Sequence, residues 1–234
     1  MSFYGFHYTS VGELQAKARR TLARHKEYEP VVPASNSRSI CTSWWGDAWC
    51  RNLERYADWE NRIDRGKRYV RNGAVLDLKI DGGTISAKIQ GSADYPYDVT
   101  ITIAPLSEKR RKAIERQAAG KIQDLESLTS GRFPEEMKAL FFEKGGLFPE
   151  PKEIKFDCDC PDWASMCKHV AAALYGVGVR LDSNPLYFFQ MRGIDIEEFI
   201  GHVVGGKVES MLAHARSRSK RIIKDADLMG LFGV

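Results

Sequence analysis

Three cysteines and a histidine, Cys158, Cys160, Cys167 and His169, stand close together in the order C-x-C-x6-C-x-H. Three thiolates and an imidazole are a donor set for tetrahedral zinc. The stretch EIKFDC before and within the cluster is strand-like. Side chains two apart on a strand share a side, so Cys158 and Cys160 can hold one edge of an ion. Pro161 and Asp162 open a turn, and CKHVAAALYGVG reads as a helix with an alanine-rich apolar face. Residues two apart inside a helix point about 200° apart. Cys167 and His169 must therefore straddle the helix start, the first not yet helical and the second reaching back. Four protein ligands leave no open position, which makes the expected site structural rather than catalytic. Two other readings remain open at this point. One is three buried free thiols beside a surface histidine; the other is an iron–sulfur cluster, which this donor set can also serve. A redox centre is weaker, because the C-x-x-C spacing is absent.

The rest of the chain is the scaffold for that cluster. It has 234 residues, 43% hydrophobic and 28% charged, with five Trp, nine Tyr and eleven Phe. Such a composition folds, as one large domain or a domain with an appendage. Five cysteines, an odd number, argue against a disulfide framework. Cys41 and Cys50 have no Cys or His neighbour at ligand spacing and read as buried thiols. His7, His25, His202 and His214 are similarly isolated. No apolar run approaches the roughly 20 residues of a membrane span. The start lacks the charged-then-apolar order of a secretory signal. The expected location is the cytoplasm, the nucleoid included, with no membrane partner.

The elements follow from periodicity. Val11, Leu14, Ala18 and Leu22 recur at helical spacing. In SWWGDAWCRNLERYADWENR, the residues Trp45, Trp49, Leu53 and Tyr56 form one helical stripe, expected in the core rather than stacked on bases. Tyr69-Val70, AVLDLKI, TISAKIQ and YDVTITI read as a meander with period two, and Asp81-Gly82-Gly83 as a hairpin turn. Ser107 is placed to cap a helix that buries Ile114, Ala118, Ile122 and Leu125, and PEEMKALFFEK reads as a further short helix. The fold class is α+β: a small antiparallel sheet packed with helices, then a strand-turn-helix zinc knuckle and a helical C-terminal part. The divisions expected are a basic arm at 1–42, an α+β domain at 43–150, the zinc segment at 151–180 and a helical segment at 181–234. The core of residues 43–128 is expected to be separate from the zinc segment and to survive metal loss.

The motif C-x-C-x6-C-x-H within CDCPDWASMCKHVAAALYGVG resembles the SWIM-type zinc finger. With SWWGDAWCRNLE, RGKRYVRNGAV, IQGS and GLFPEP upstream, most of residues 40–200 is similar to bacterial SWIM zinc finger proteins of this size. The resemblance implies Zn(2+) held by Cys158, Cys160, Cys167 and His169, and a role in binding DNA or other proteins. Bacterial members are often encoded beside remodeller-type helicases, which implies such a helicase as a partner. The resemblance assigns no catalytic residue.

The chain carries no Walker loop, G-x-S-x-G, H-E-x-x-H or G-x-G-x-x-G. Asp157 and Asp159 flank Cys158 and should face solvent. A non-enzymatic binding protein is therefore expected. Its net charge is +4, with cations in runs. One run is Arg62, Arg65, Lys67, Arg68 and Arg71; a second is Lys109, Arg110, Arg111 and Lys112; a third contains Arg216, Arg218, Lys220 and Arg221. Phosphate neutralisation needs several cations on one surface, so nucleic acid, DNA first, is the expected partner. The alternative is a protein adaptor docked on a helicase. The apolar tail DADLMGLFGV either folds back or docks on a partner.

Overall fold

The computed structural model describes residues 9–33, 39–54, 60–118, 138–143 and 145–202. The first helix, α1 (Val11–Arg24), starts where the Ser10 hydroxyl accepts from the Glu13 amide and Glu13 reaches back to the Ser10 amide. That reciprocal pair satisfies two of the amides that a helix start leaves open. Leu14 and Ala18 make its buried stripe. Helices α2 (Trp44–Glu54) and α3 (Glu60–Arg71) follow, then strands β1 (Val75–Asp81), β2 (Thr84–Gln90) and β3 (Pro96–Ile103). Gly82 turns the β1–β2 hairpin with φ +51°, a conformation that a side chain disfavours. Ser107 opens α4 (Glu108–Ala118), its carbonyl accepting from the amides of Arg110 and Arg111. The remaining elements are α5 (Lys138–Phe142), β4 (Ile154–Cys158), α6 (Lys168–Ser183) and α7 (Tyr187–Met191).

The four strands form one antiparallel sheet in the order β1-β2-β3-β4. On β2 and β3 the facing pairs Ile85–Ile101, Ala87–Val99 and Ile89–Tyr97 are buried, while the intervening Asp98, Thr100 and Thr102 are exposed. One face is therefore covered. Strand β1 is buried over four consecutive residues because the segment after α1 lies against it. There the Val31 amide donates to the Val75 carbonyl, and the Glu29 amide to Asp77 Oδ1.

Helix α6 is the centre of the molecule. It packs on α2, on α3 and on all four strands, and His169 to Gly178 are buried without interruption. An all-round apolar helix can only be stable when enclosed in this way. Ile63, Gly66 and Val70 are the buried stripe of α3, and a Cβ on Gly66 would lie 2.6 Å from Ala171 Cβ. The glycine thus permits the close approach of α3 to α6. Trp49 is fully buried and its Nε1 donates to the Leu174 carbonyl at 3.0 Å. Trp45 Nε1 donates to the Leu181 carbonyl at 2.9 Å. These tryptophans are core, as the helical stripe predicts; Tyr56 lies outside the described residues.

Two expectations are corrected. Tyr69-Val70 is the end of α3, not a strand, because Val70 completes a helical stripe against α6. The core of residues 43–128 is not separate. One apolar cluster joins Trp49, Leu53, Ile85 and Val99 to Cys160, Cys167, Val170 and Leu174. The strand carrying Cys158 is the fourth strand of the sheet, and the helix begun by Cys167 is its cover.

Candidate metal centre

Cys158 ends β4, opposite Val99 of β3. The Asp159 amide donates to the Asp98 carbonyl at 3.2 Å, and the Asp98 amide to Asp159 Oδ1 at 3.0 Å, so extended pairing continues past the strand end. That continuation brings Cys160 to the same side as Cys158. Asp157 and Asp159 are exposed, on the opposite side. Cys167 is the N-cap of α6, with extended φ −70° and ψ 169°, and its Sγ accepts from the Val170 amide at 3.4 Å. His169 follows in the first turn. Its Nδ1 lies 3.9 Å from Cys158 Sγ and 4.0 Å from Cys167 Sγ. The four donor atoms all lie within 4.8 Å of one another. The cluster can hold a metal ion.

The spacing is compatible with a tetrahedral ion such as zinc. Bonds of about 2.3 Å to sulfur and 2.0–2.1 Å to nitrogen set tetrahedral edges of about 3.6–3.8 Å. The observed separations of 3.9 and 4.0 Å exceed these by a few tenths of an ångström. The imidazole is held from both sides, stacked on Tyr97 at 4.3 Å between centroids and met edge-on by Tyr69 at 5.6 Å. Gly91 makes room for this stack: a Cβ there would lie 2.4 Å from Tyr97 Cε2 and 2.7 Å from His169 Nε2. Nε2 itself is buried without a hydrogen-bond partner among the described residues, so Nδ1 is the nitrogen turned to the thiols.

A hydrogen bond from Cys158 holds the Cys167 thiol far below the ordinary range, helped by His169 and the Val170 amide. The same contact pushes Cys158 up, and burial pushes Cys160 up. Burial pushes His169 down, favouring the neutral ring that a metal requires. Burial also lowers Lys168, with the nearby Arg65 charge acting in the same direction.

Other sequence-predicted residues are placed as follows. Lys109 is exposed. Arg110 pairs with Glu153 at 2.7 Å, Arg111 with Glu198 at 3.0 Å and Lys112 with Glu108 at 2.6 Å. Arg216, Arg218, Lys220, Arg221 and the apolar tail lie outside the described residues. Arg62 pairs with Asp162 at 3.0 Å and Lys67 with Glu54 at 2.7 Å. Cys41 and Cys50 are buried, and their sulfurs meet at 3.5 Å away from the metal cluster. Sequence spacing left that pair unconnected, since the two stand nine positions apart on no obvious period. Trp163 and Lys168 are also set between the ligands, a large aromatic and a cation in the short segment that joins them. No helix among the described residues is long and apolar enough to cross a membrane.

No family model matches the chain. No solved structure matches it. Uncharacterized protein Rv2102 of Mycobacterium tuberculosis (strain ATCC 25618 / H37Rv) is 31% identical over 190 residues, covering 80% of this chain and 68% of that protein. With that identity over that share of both chains, the protein belongs to the same family as the mycobacterial Rv2102.

Proposed function

We propose that the protein is a non-catalytic nucleic-acid-binding protein whose Cys158, Cys160, Cys167 and His169 hold a structural zinc ion in a SWIM-type knuckle. The observation that carries this reading is the convergence of those four donor atoms within 4.8 Å, across a strand end and a helix start. Zinc bound there has its tetrahedron filled by protein, leaving no position for a reacting water. Its role is to fix the N-terminus of α6 to the end of β4. Nucleic acid as the partner is supported by cations of α3 and the knuckle on neighbouring surface, since phosphate neutralisation requires several on one face.

The test is to purify the protein, measure metal per chain and titrate labelled DNA and RNA at increasing salt. One zinc per chain and an affinity that falls steeply with salt are expected. Iron with a visible charge-transfer band, or no metal, overturns the zinc assignment. An affinity indifferent to salt, or no binding, overturns the nucleic-acid assignment.

A further inference from the structure

A cleft of about 680 Å³ lies beside the metal centre, between the first turn of α1, one face of α3 and the turn that joins Cys160 to Cys167. Arg62, Arg65 and Arg68 line it at i, i+3 and i+6 along α3, and Lys168 adds a fourth cation. The carboxylate in its lining, Asp162, is held by Arg62 at 3.0 Å. Arg65 and Arg68 have no ion-pair partner among the described residues. Three cations of the Lys109–Lys112 run, by contrast, are paired with carboxylates. At the cleft's rim Trp163 is 81% exposed, the most exposed large apolar side chain among the described residues. An indole in that position, beside cations of which two have no ion-pair partner among the described residues, is poorly explained by folding.

We propose that this cleft binds single-stranded nucleic acid, with Arg65, Arg68 and Lys168 on successive phosphates and Trp163 stacked on a base. The proposal rests on the nucleic-acid reading above and gives it a place. From Arg62 to Arg68 the helix rises about 9 Å, longer than one phosphate group and suited to a strand running along α3. An exposed indole contributes only if a base face is free to meet it, which a single strand offers and a stacked duplex does not. The combination of a cationic groove with an aromatic platform is sequence-tolerant, since every base has a π-face. DNA and RNA share this chemistry. One wall of the cleft lies among the metal ligands: Asp162 and Trp163 lie between Cys160 and Cys167, and Lys168 lies between Cys167 and His169.

The experiment is fluorescence anisotropy on the zinc-loaded full chain, with labelled 12-mers of dT, of rU and of a duplex. Either or both single strands should bind at least tenfold more tightly than the duplex, and their ratio says whether DNA or RNA is preferred. R65A/R68A should weaken single-strand binding at least tenfold. It should also reduce the log–log salt slope by about 1.4, the value for two lost phosphate contacts on a single strand. W163A should weaken binding about tenfold with the salt slope unchanged, and W163F should recover most of that loss. K109A/K112A should change affinity less than twofold. Zinc content and thermal unfolding check that each variant is folded, and R65Q/R68Q replaces the alanine pair if that pair is not. Single strands that bind the cleft variants as well as the parent overturn the proposal while the nucleic-acid reading stands. A preference for duplex overturns the single-strand assignment. Absence of binding to every oligonucleotide overturns both.

Discussion

At the Ile154 end of β4, Glu153 accepts from Arg192 Nη2 at 3.0 Å and Arg110 Nη1 at 2.7 Å, and Arg192 Nη1 donates to the Ala104 carbonyl at 2.6 Å. At the Cys158 end, three thiols and an imidazole converge instead. Both ends bury polar groups: Arg192 and His169 are each 1% exposed. They differ in what completes them. The glutamate and arginines supply acceptors and donors to one another. The cysteines and histidine turn three sulfurs and Nδ1 toward one another, a donor set that can hold a metal ion. The contrast is between an ion-pair network and a convergent set of metal donors.

The largest expected effect comes from breaking the cysteine end. Cys167→Ser keeps an oxygen that can cap α6 but removes a thiolate ligand. It should lose the metal and open residues 156–175 to protease, detected by metal analysis and limited proteolysis. Structural zinc contributes about 10–16 kcal/mol in isolated fingers, more than any packing contact here can replace. Because Cys160 and Cys167 belong to the same apolar cluster as Trp49 and Val99, thermal stability of the whole molecule should fall as well. A variant with unchanged melting temperature would restore the idea of a separate core.

Next in size is the Glu153 end. Arg192→Met leaves Glu153 with one buried partner fewer, and breaking such a pair costs about 3–5 kcal/mol. Urea unfolding should report that loss while zinc content stays at the parent value. If zinc is lost too, the two ends are coupled through the strand and the comparison fails. Gly91→Ala should cost about 1–3 kcal/mol, since its Cβ is driven against Tyr97 and His169. Unlike Arg192→Met, it should also weaken zinc binding, measured by competition with a chelator.

Much of this was legible in the sequence, for local reasons. The Asp81-Gly82-Gly83 turn, the alternation on β2 and β3 and the four donors depend on neighbours within a few residues. The expectation that Cys167 precedes the helical turn containing His169 followed from the angle between helical side chains alone. What was not legible depends on partners far along the chain. Lys109 to Lys112 read as an open basic run, yet Arg110 is taken by Glu153 and Arg111 by Glu198. Tyr69-Val70 read as strand because the close approach of Gly66 to Ala171 that makes it a buried helix spans about a hundred residues. The core seemed divided at the cysteine segment because sheet membership of β4 is decided by β3, not by its own five residues.

The smallest effect concerns another buried polar pair. Tyr175 Oη donates to Glu54 Oε1 at 3.0 Å, and burial with the nearby carboxylate pushes the phenol well above its ordinary range. A group whose folded pKa is raised adds stability below the unfolded value of about 10, and that stability is lost as pH rises beyond it. Tyr175→Phe should cost about 0.5–1.5 kcal/mol near neutral pH. It should also make the decline in stability above about pH 10 shallower than in the parent, read by urea unfolding at several alkaline pH values.

The central claim is that the Cys158 end of β4 is completed by zinc, and X-ray absorption at the zinc edge on the purified protein tests it most directly. The account predicts one zinc per chain, bound by three sulfurs near 2.3 Å and one nitrogen near 2.0–2.1 Å. A protein that carries no zinc after expression in zinc-replete medium, or a zinc shell containing oxygen in place of any of the three sulfurs, would contradict it.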